Sequence, residues 1–153
     1  MKRIIYLLLI AALISNMGCA QKIATDKVPT VVTSAFKAKF PNATKTSWEM
    51  ENANEYEAGF KQNGDEVSAN FDNTGKWLET ETEIKISALP VAVQNALSKD
   101  FAGFKIEEAS KIESVNDGNC FEAEIEKGEE TFDVLFTADG KMLSKTKIEN
   151  EED

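Results

Sequence analysis

The side chains able to do chemistry in this chain are almost all carboxylates: 27 Asp and Glu stand against 17 Lys and Arg, with two cysteines and no histidine. The missing histidine removes the commonest general base near neutral pH, the usual nucleophilic triads and most zinc sites. Paired carboxylates can do acid–base work when one of them is desolvated, but no pair here sits in a motif that sets up such a pocket. Asp72-Asn73-Thr74-Gly75 loosely resembles part of a cation loop. It is too short for one and lacks the bidentate glutamate, so it is expected to be a tight turn. Glu79, Glu81 and Glu83 alternate as the solvated side of an edge strand does, where charge discourages aggregation. The chain is therefore expected to be no enzyme and to need no cofactor or metal.

Two kinds of apolar spacing indicate which elements hold these residues. Val28, Val32, Ala35, Phe36 and Phe40 fall at i, i+4, i+7, i+8 and i+12, one buried stripe of a helix, and Leu89, Val93, Ala96, Leu97 and Phe101 do the same. Thr25 or Asp26 can cap the first helix and Ser87 the second, while Pro29 suits a first turn and Pro41 closes the element. After each helix the period falls to two. Tyr56, Ala58 and Phe60 alternate with polar residues, as do Val67, Ala69 and Phe71, which predicts half-buried antiparallel strands. Asn63-Gly64 and Asp72 to Gly75 punctuate them, and Lys127-Gly128 and Ala138-Asp139-Gly140 stand at matching places further on.

The pattern recurs in register. Pro29, Ala35, Phe36 and Phe40 stand opposite Pro90, Ala96, Leu97 and Phe101 at an offset of 61, and Tyr56, Val67, Phe71, Gly75 and Leu78 opposite Phe121, Phe132, Phe136, Gly140 and Leu143 at 65. The expected fold is α+β: a tandem repeat of one helix plus four antiparallel strands, the sheets joined and the helices packed on one face. The units are residues 21–84 and 85–148, with 149–153 an acidic tail. A 60-residue unit without disulfide or metal buries too little apolar surface to offset its chain entropy, so the two are expected to be fused.

Residues 1–20 carry Lys2 and Arg3, an 11-residue apolar run from Ile4 to Ile14, and then small and polar residues, the grammar of a secretory signal peptide. The run is shorter than the roughly 20 residues that a helix needs to cross a bilayer. Cleavage after Ala20 and lipidation of Cys19 after cleavage at Gly18-Cys19 are both open, which places the chain in the periplasm or outside the cell, with a membrane attachment only through Cys19. Either route leaves Cys120 as the one usable cysteine, a small partly buried side chain or the site of an intermolecular bridge. Without Lys2 and Arg3 the balance is 15 basic against 27 acidic residues, which disfavours nucleic acid and anionic membrane surfaces as partners.

If the Tyr56 and Val67 rows pack on the helices, the opposite sheet face carries Glu57, Ser68, Asn70, Glu122, Glu124, Asp133 and Leu135, and is left to water or a partner. Leu135, an apolar residue where alternation assigns solvent, is the chief anchor candidate, with Glu122, Glu124 and Asp133 around it. Trp77 joins the core if it pairs opposite Phe71, or the open face if it pairs opposite Asp72.

Val28-Pro29 with its helix to Phe40-Pro41-Asn42-Ala43, then Ser47-Trp48-Glu49, Tyr56-Glu57-Ala58 and Phe71-Asp72-Asn73-Thr74-Gly75-Lys76-Trp77-Leu78, resemble the PepSY-like proteins exported by Bacteroidetes. The likeness covers residues 27–148; the second copy matches less well, with Ala109 near the expected Trp position and Cys120 beside Phe121. The resemblance implies a β-lactamase-inhibitor-like architecture with a concave open face, a periplasmic setting, and a binding or inhibitory module. The chain is accordingly expected to bind another envelope protein through its open sheet face. The alternative is an acidic protein that sequesters small ligands or cations.

Overall fold

The computed structural model describes residues 21–148. They form β1 (Gln21–Ile23), α1 (Thr30–Lys39), β2 (Thr44–Asn52), β3 (Glu55–Gln62), β4 (Asp65–Asp72), β5 (Trp77–Glu83), α2 (Val91–Asp100), β6 (Lys105–Ser114), β7 (Gly118–Lys127), β8 (Glu130–Thr137) and β9 (Met142–Ile148). The expected signal peptide, the lipidation candidate Cys19 and the acidic tail lie outside the described residues.

The strands make one nine-stranded antiparallel sheet in the order β1 to β9, every strand beside its neighbour in sequence. This corrects the expected architecture: the chain is mostly a single sheet with two short helices, and not a tandem of helix-plus-four-strand units. The physical reason lies in β5 and β6, which pair antiparallel from Glu79 opposite Ser114 to Glu83 opposite Ser110 and so leave no sheet edge where one unit would end. Residues 21–23 also join, pairing Gln21 to Ile23 with Met50 to Trp48. Apolar spacing reports the type of each element, whereas partnering between elements is decided by backbone hydrogen bonds that carry no side-chain signature.

Both helices cover the same face. Val32 and Phe36 of α1 pack with Trp48, Ala58, Phe60, Val67, Ala69 and Phe71, and Val93 and Leu97 of α2 with Ala109, Ala123, Ile125, Phe132, Val134 and Phe136. Between these clusters, on the same face by alternation, Thr80 and Thr82 stand opposite Glu113 and Lys111. The first core is aromatic, with the Phe36 ring 5.1 Å from Phe60, 5.3 Å from Trp48 and 5.6 Å from Phe40; the second is built chiefly of aliphatic side chains.

The caps expected at Thr25 or Asp26 and at Ser87 are not made. Those residues sit in single 3-10 turns, Thr25–Lys27 and Ile86–Ala88, and the helices begin behind Pro29 and Pro90 with no side-chain cap. The Pro29 carbonyl instead accepts the N–H groups of Val32 and Thr33, at 3.0 and 3.1 Å. The Asp72 turn is tight, as expected: its carboxylate takes the N–H of Thr74 at 2.8 Å and of Lys76 at 3.0 Å, and the Thr74 hydroxyl at 2.6 Å. All three converge on its Oδ1, which is thereby committed to the loop itself.

The β8–β9 turn leans on the start of α2. Gly140 has φ +84°, and a Cβ there would lie 2.5 Å from the Ala92 carbonyl oxygen, while Gly64 at φ +103° has nothing within 4 Å of such an atom. Gly64→Ala should therefore lose about 1 kcal/mol, the left-handed backbone penalty alone, and Gly140→Ala roughly 3 kcal/mol through the added clash. Urea unfolding of the two variants checks this; equal losses would mean that the turn–helix approach contributes nothing.

Candidate functional site

Alternation and register fix what lies on the helix-free face. Row by row across the strands, Glu49 pairs with Glu57, Glu57 with Asn70, Asn70 with Glu79 and Glu79 with Ser114. In the next row Ser68 pairs with Glu81, Glu81 with Ile112 and Ile112 with Cys120. Beyond it come Glu83, Ser110, Glu122, Leu135 and Ser144, and then Glu108, Glu124, Asp133 and Thr146. The Glu108–Glu124–Asp133 row sets three carboxyls side by side, a like-charge arrangement that weakens a sheet.

Among these acids lies an apolar spot. Ile112, Cys120 and Leu135 form a buried cluster of their own, 5%, 1% and 8% exposed. Among the described residues both helices pack on the other face, so the side chains of this face shield one another. The acids are shielded with them: Glu81, Glu122 and Asp133 are all below 10% exposure.

Burial and mutual repulsion push the carboxyls toward their neutral forms. The Glu57 carboxyl rises to about 8, first through desolvation and then through Glu51, Glu49, Glu79 and Glu55. Asp133 rises to about 7 through burial, then Glu124 and Glu108, and Glu51 to about 7 through burial, then Glu49 and Glu55. Glu81 and Glu122 are both held well above the carboxylate range, by burial first and then by the surrounding acids; the Ser110 hydroxyl, donating to Glu81, partly opposes its rise. Burial also pushes the Cys120 thiol up to about 11, so it packs as a neutral apolar group and offers no thiolate.

Of the residues singled out from sequence, the structure brings Glu122, Glu124, Asp133 and Leu135 together on adjacent strands, Glu122 opposite Leu135 and Glu124 opposite Asp133. Trp77 is separate from them. It pairs opposite Phe71, packs on the first core, donates its indole N–H to Thr80 Oγ1 at 2.9 Å, and lies under the Lys39 ammonium at 3.9 Å. A register shift at Leu78 puts it there. The Glu79–Glu81–Glu83 alternation is corrected: β5 is an interior strand between β4 and β6, and Glu81 is buried. Ile112 and Glu108 escaped notice, although Ile112 stands three residues from Ala109 and must therefore face away from the helices.

The family described as "Putative beta-lactamase-inhibitor-like, PepSY-like" matches the chain over residues 17–67 and 54–144. A BLIP-like protein from Bacteroides fragilis is 29% identical, with 82% of this chain and 90% of that one covered and a TM-score of 0.69. A protein from Bacteroides eggerthii described as one of the "putative periplasmic proteins" is 22% identical over 79% of this chain and 89% of its own, with a TM-score of 0.72. A DUF2874 family protein from Bacteroides uniformis is 22% identical over 78% and 88%, with a TM-score of 0.71. These last two likenesses are of fold. No curated protein matches the chain.

The raised carboxyls make stability fall with pH. Each holds a proton in the folded state that the unfolded chain releases near pH 3.8 for Asp133 and 4.5 for the glutamates, so the stabilisation is complete below those values and is lost as pH rises through about 7 to 8, where Asp133, Glu51 and Glu57 titrate when folded. The melting temperature should drop by about 5 °C or more between pH 5 and pH 9. Glu122→Gln should recover part of that drop at pH 9 and change little at pH 5. A calorimetric series over this range that stays flat, or climbs with pH, would contradict the burial of charge on this face.

Proposed function

The chain belongs to the PepSY-like, β-lactamase-inhibitor-like family, and from that premise we propose that it is a non-enzymatic binding module of the cell envelope, docking a partner protein on the open face of its sheet. The observation that carries this is the Ile112–Cys120–Leu135 cluster set among carboxyls on the face that neither α1 nor α2 covers. An apolar centre with a polar surround is the anatomy of a protein interface, where a few central side chains supply most of the binding energy and the rim sets approach and orientation. The export grammar of residues 1–20 and the description of the Bacteroides eggerthii protein support an envelope location. The likeness to a BLIP-like protein supports a binding or inhibitory role over catalysis.

Capture of cations is the less favoured role. Among the described residues no group of three or more His, Cys, Asp or Glu side chains is placed to hold a metal ion. The acids run in rows across strands, and do not converge on one point.

Crosslinking and affinity capture with the tagged chain in its native envelope should yield one saturable partner. Leu135→Asp should weaken that complex by about 2 kcal/mol or more, as loss of a central anchor does. Glu124→Lys should slow association and blunt its salt dependence, while Lys37→Glu on the exposed side of α1 should leave both unchanged. Partner affinity indifferent to Leu135→Asp in a folded variant would remove this face as the docking surface.

A further inference from the structure

The open face holds acidic groups that no basic group of the described part of the chain answers. Glu122 and Asp133 are 9% and 8% exposed, and the groups acting on them are other acids: Glu81, Asp133, Glu79 and Glu124 on the first, Glu124 and Glu108 on the second. Neither carboxyl accepts a hydrogen bond from a described residue or lies in an ion pair with one. The ion pairs among the described residues are elsewhere, Lys61–Glu66, Lys99–Asp100, Lys105–Glu107 and Lys111–Glu113. The lysines over aromatic rings, Lys39, Lys127 and Lys145, are on the helix side with those rings. Two largely buried acids, their oxygens still in contact with solvent and given no donor, lie beside an apolar cluster, and the enclosed polar atom left unpaired among the described residues, Ser144 Oγ, belongs to the residue opposite Leu135.

Resting on the reading of this face as a protein-docking surface, we infer that the segment it receives is cationic and partly apolar, with lysine or arginine side chains reaching Glu122 and Asp133 while an apolar side chain covers Leu135 and Ile112. Spacing favours several cationic side chains over one ion: Glu108, Glu124 and Asp133 step across three strands about 4.8 Å apart, too spread for a single coordination shell. Arginine suits such a place because its guanidinium is weakly hydrated and pairs with a carboxylate through two parallel hydrogen bonds.

Binding of this kind moves protons. Burial and repulsion keep the face partly protonated near neutral pH, and a cation brought beside a carboxyl favours its ionised form, so docking releases protons and tightens as pH rises. The groups that face Glu122 are Cys120 and Glu124 on its own strand, Asp133 on β8, and Glu79 and Glu81 on β5; those facing Asp133 are Glu122 and Glu124 on β7, Glu108 on β6 and Glu81 on β5. All are acids or a thiol, so every one of them works in the same direction.

The test uses the protein as isolated and, as probe, an amidated peptide alternating arginine and leucine, titrated calorimetrically at pH 6.5 and 8.5 in two buffers of different ionisation enthalpy. Expected are saturable one-to-one binding, proton release, and an affinity about tenfold tighter at the higher pH, as the release of about half a proton per binding event requires over two pH units. The double substitution Glu122→Gln with Asp133→Asn should weaken binding at least tenfold. Relieved of like-charge crowding, that variant keeps its fold, and a melting curve verifies this. Glu129→Gln with Glu130→Gln, which removes the same charge from the exposed β7–β8 turn, should leave affinity unchanged. No binding, equal weakening by both pairs, or equal binding of a peptide with glutamate in place of arginine would overturn the inference. If an envelope partner is captured through Leu135 and the arginine–leucine peptide fails to displace it, the docking face stands and the cationic occupant is wrong.

Discussion

Five cross-strand pairs between β5 and β6, running from Glu79 opposite Ser114 to Glu83 opposite Ser110, hold the described chain together as one sheet. The helix-side surface along this seam is polar, with Thr80, Thr82, Lys111 and Glu113, and the apolar clusters under α1 and α2 stop on either side of it. Backbone hydrogen bonds therefore do there what side-chain packing does elsewhere. They also turn Glu81 from an edge residue into an interior one, because a strand flanked on both sides shields its own side chains. The electrostatic character of the open face follows from this single ladder.

The two faces divide the work. On one, α1 and α2 bury apolar stripes of ten-residue helices that are too short to be stable alone and owe their existence to the sheet beneath. On the other, the sheet carries acids whose repulsion works against the fold at alkaline pH, with an apolar cluster in their midst. A sheet that retains such a face tolerates a local penalty that the packed side offsets, a compromise expected where a surface is kept for something other than stability.

Much of this could be read from residue order. The stripes ending at Phe40 and Phe101, the alternation through Tyr56–Phe60 and Val67–Phe71, and the glycines at 64, 75 and 140 locate the helices, strands and turns, because each reflects local geometry. Leu135 stood out because it breaks the polar side of its strand. What stayed hidden depends on partners far away in sequence. The burial of Glu81 requires knowing that β6 lies beside β5, and Ile112 gains meaning only when Cys120 and Leu135 are seen next to it. Trp77 turned on one extra residue, Leu78, in the β4–β5 ladder.

Because each strand lies beside the one that precedes it in sequence, the sheet has a direction of assembly. Apart from the β1–β2 and β5–β6 connections, which pass through the helices, each new pairing closes only a short turn, so little loop entropy stands in its way and formation can proceed rung by rung. A chain delivered N-terminus first can lay down β2, β3, β4 and β5 with α1 over them before α2 has emerged, and each later strand then finds a finished template waiting at the growing edge. The order of synthesis and the order of the sheet are the same order, and no strand has to wait for a partner that is made after its neighbours.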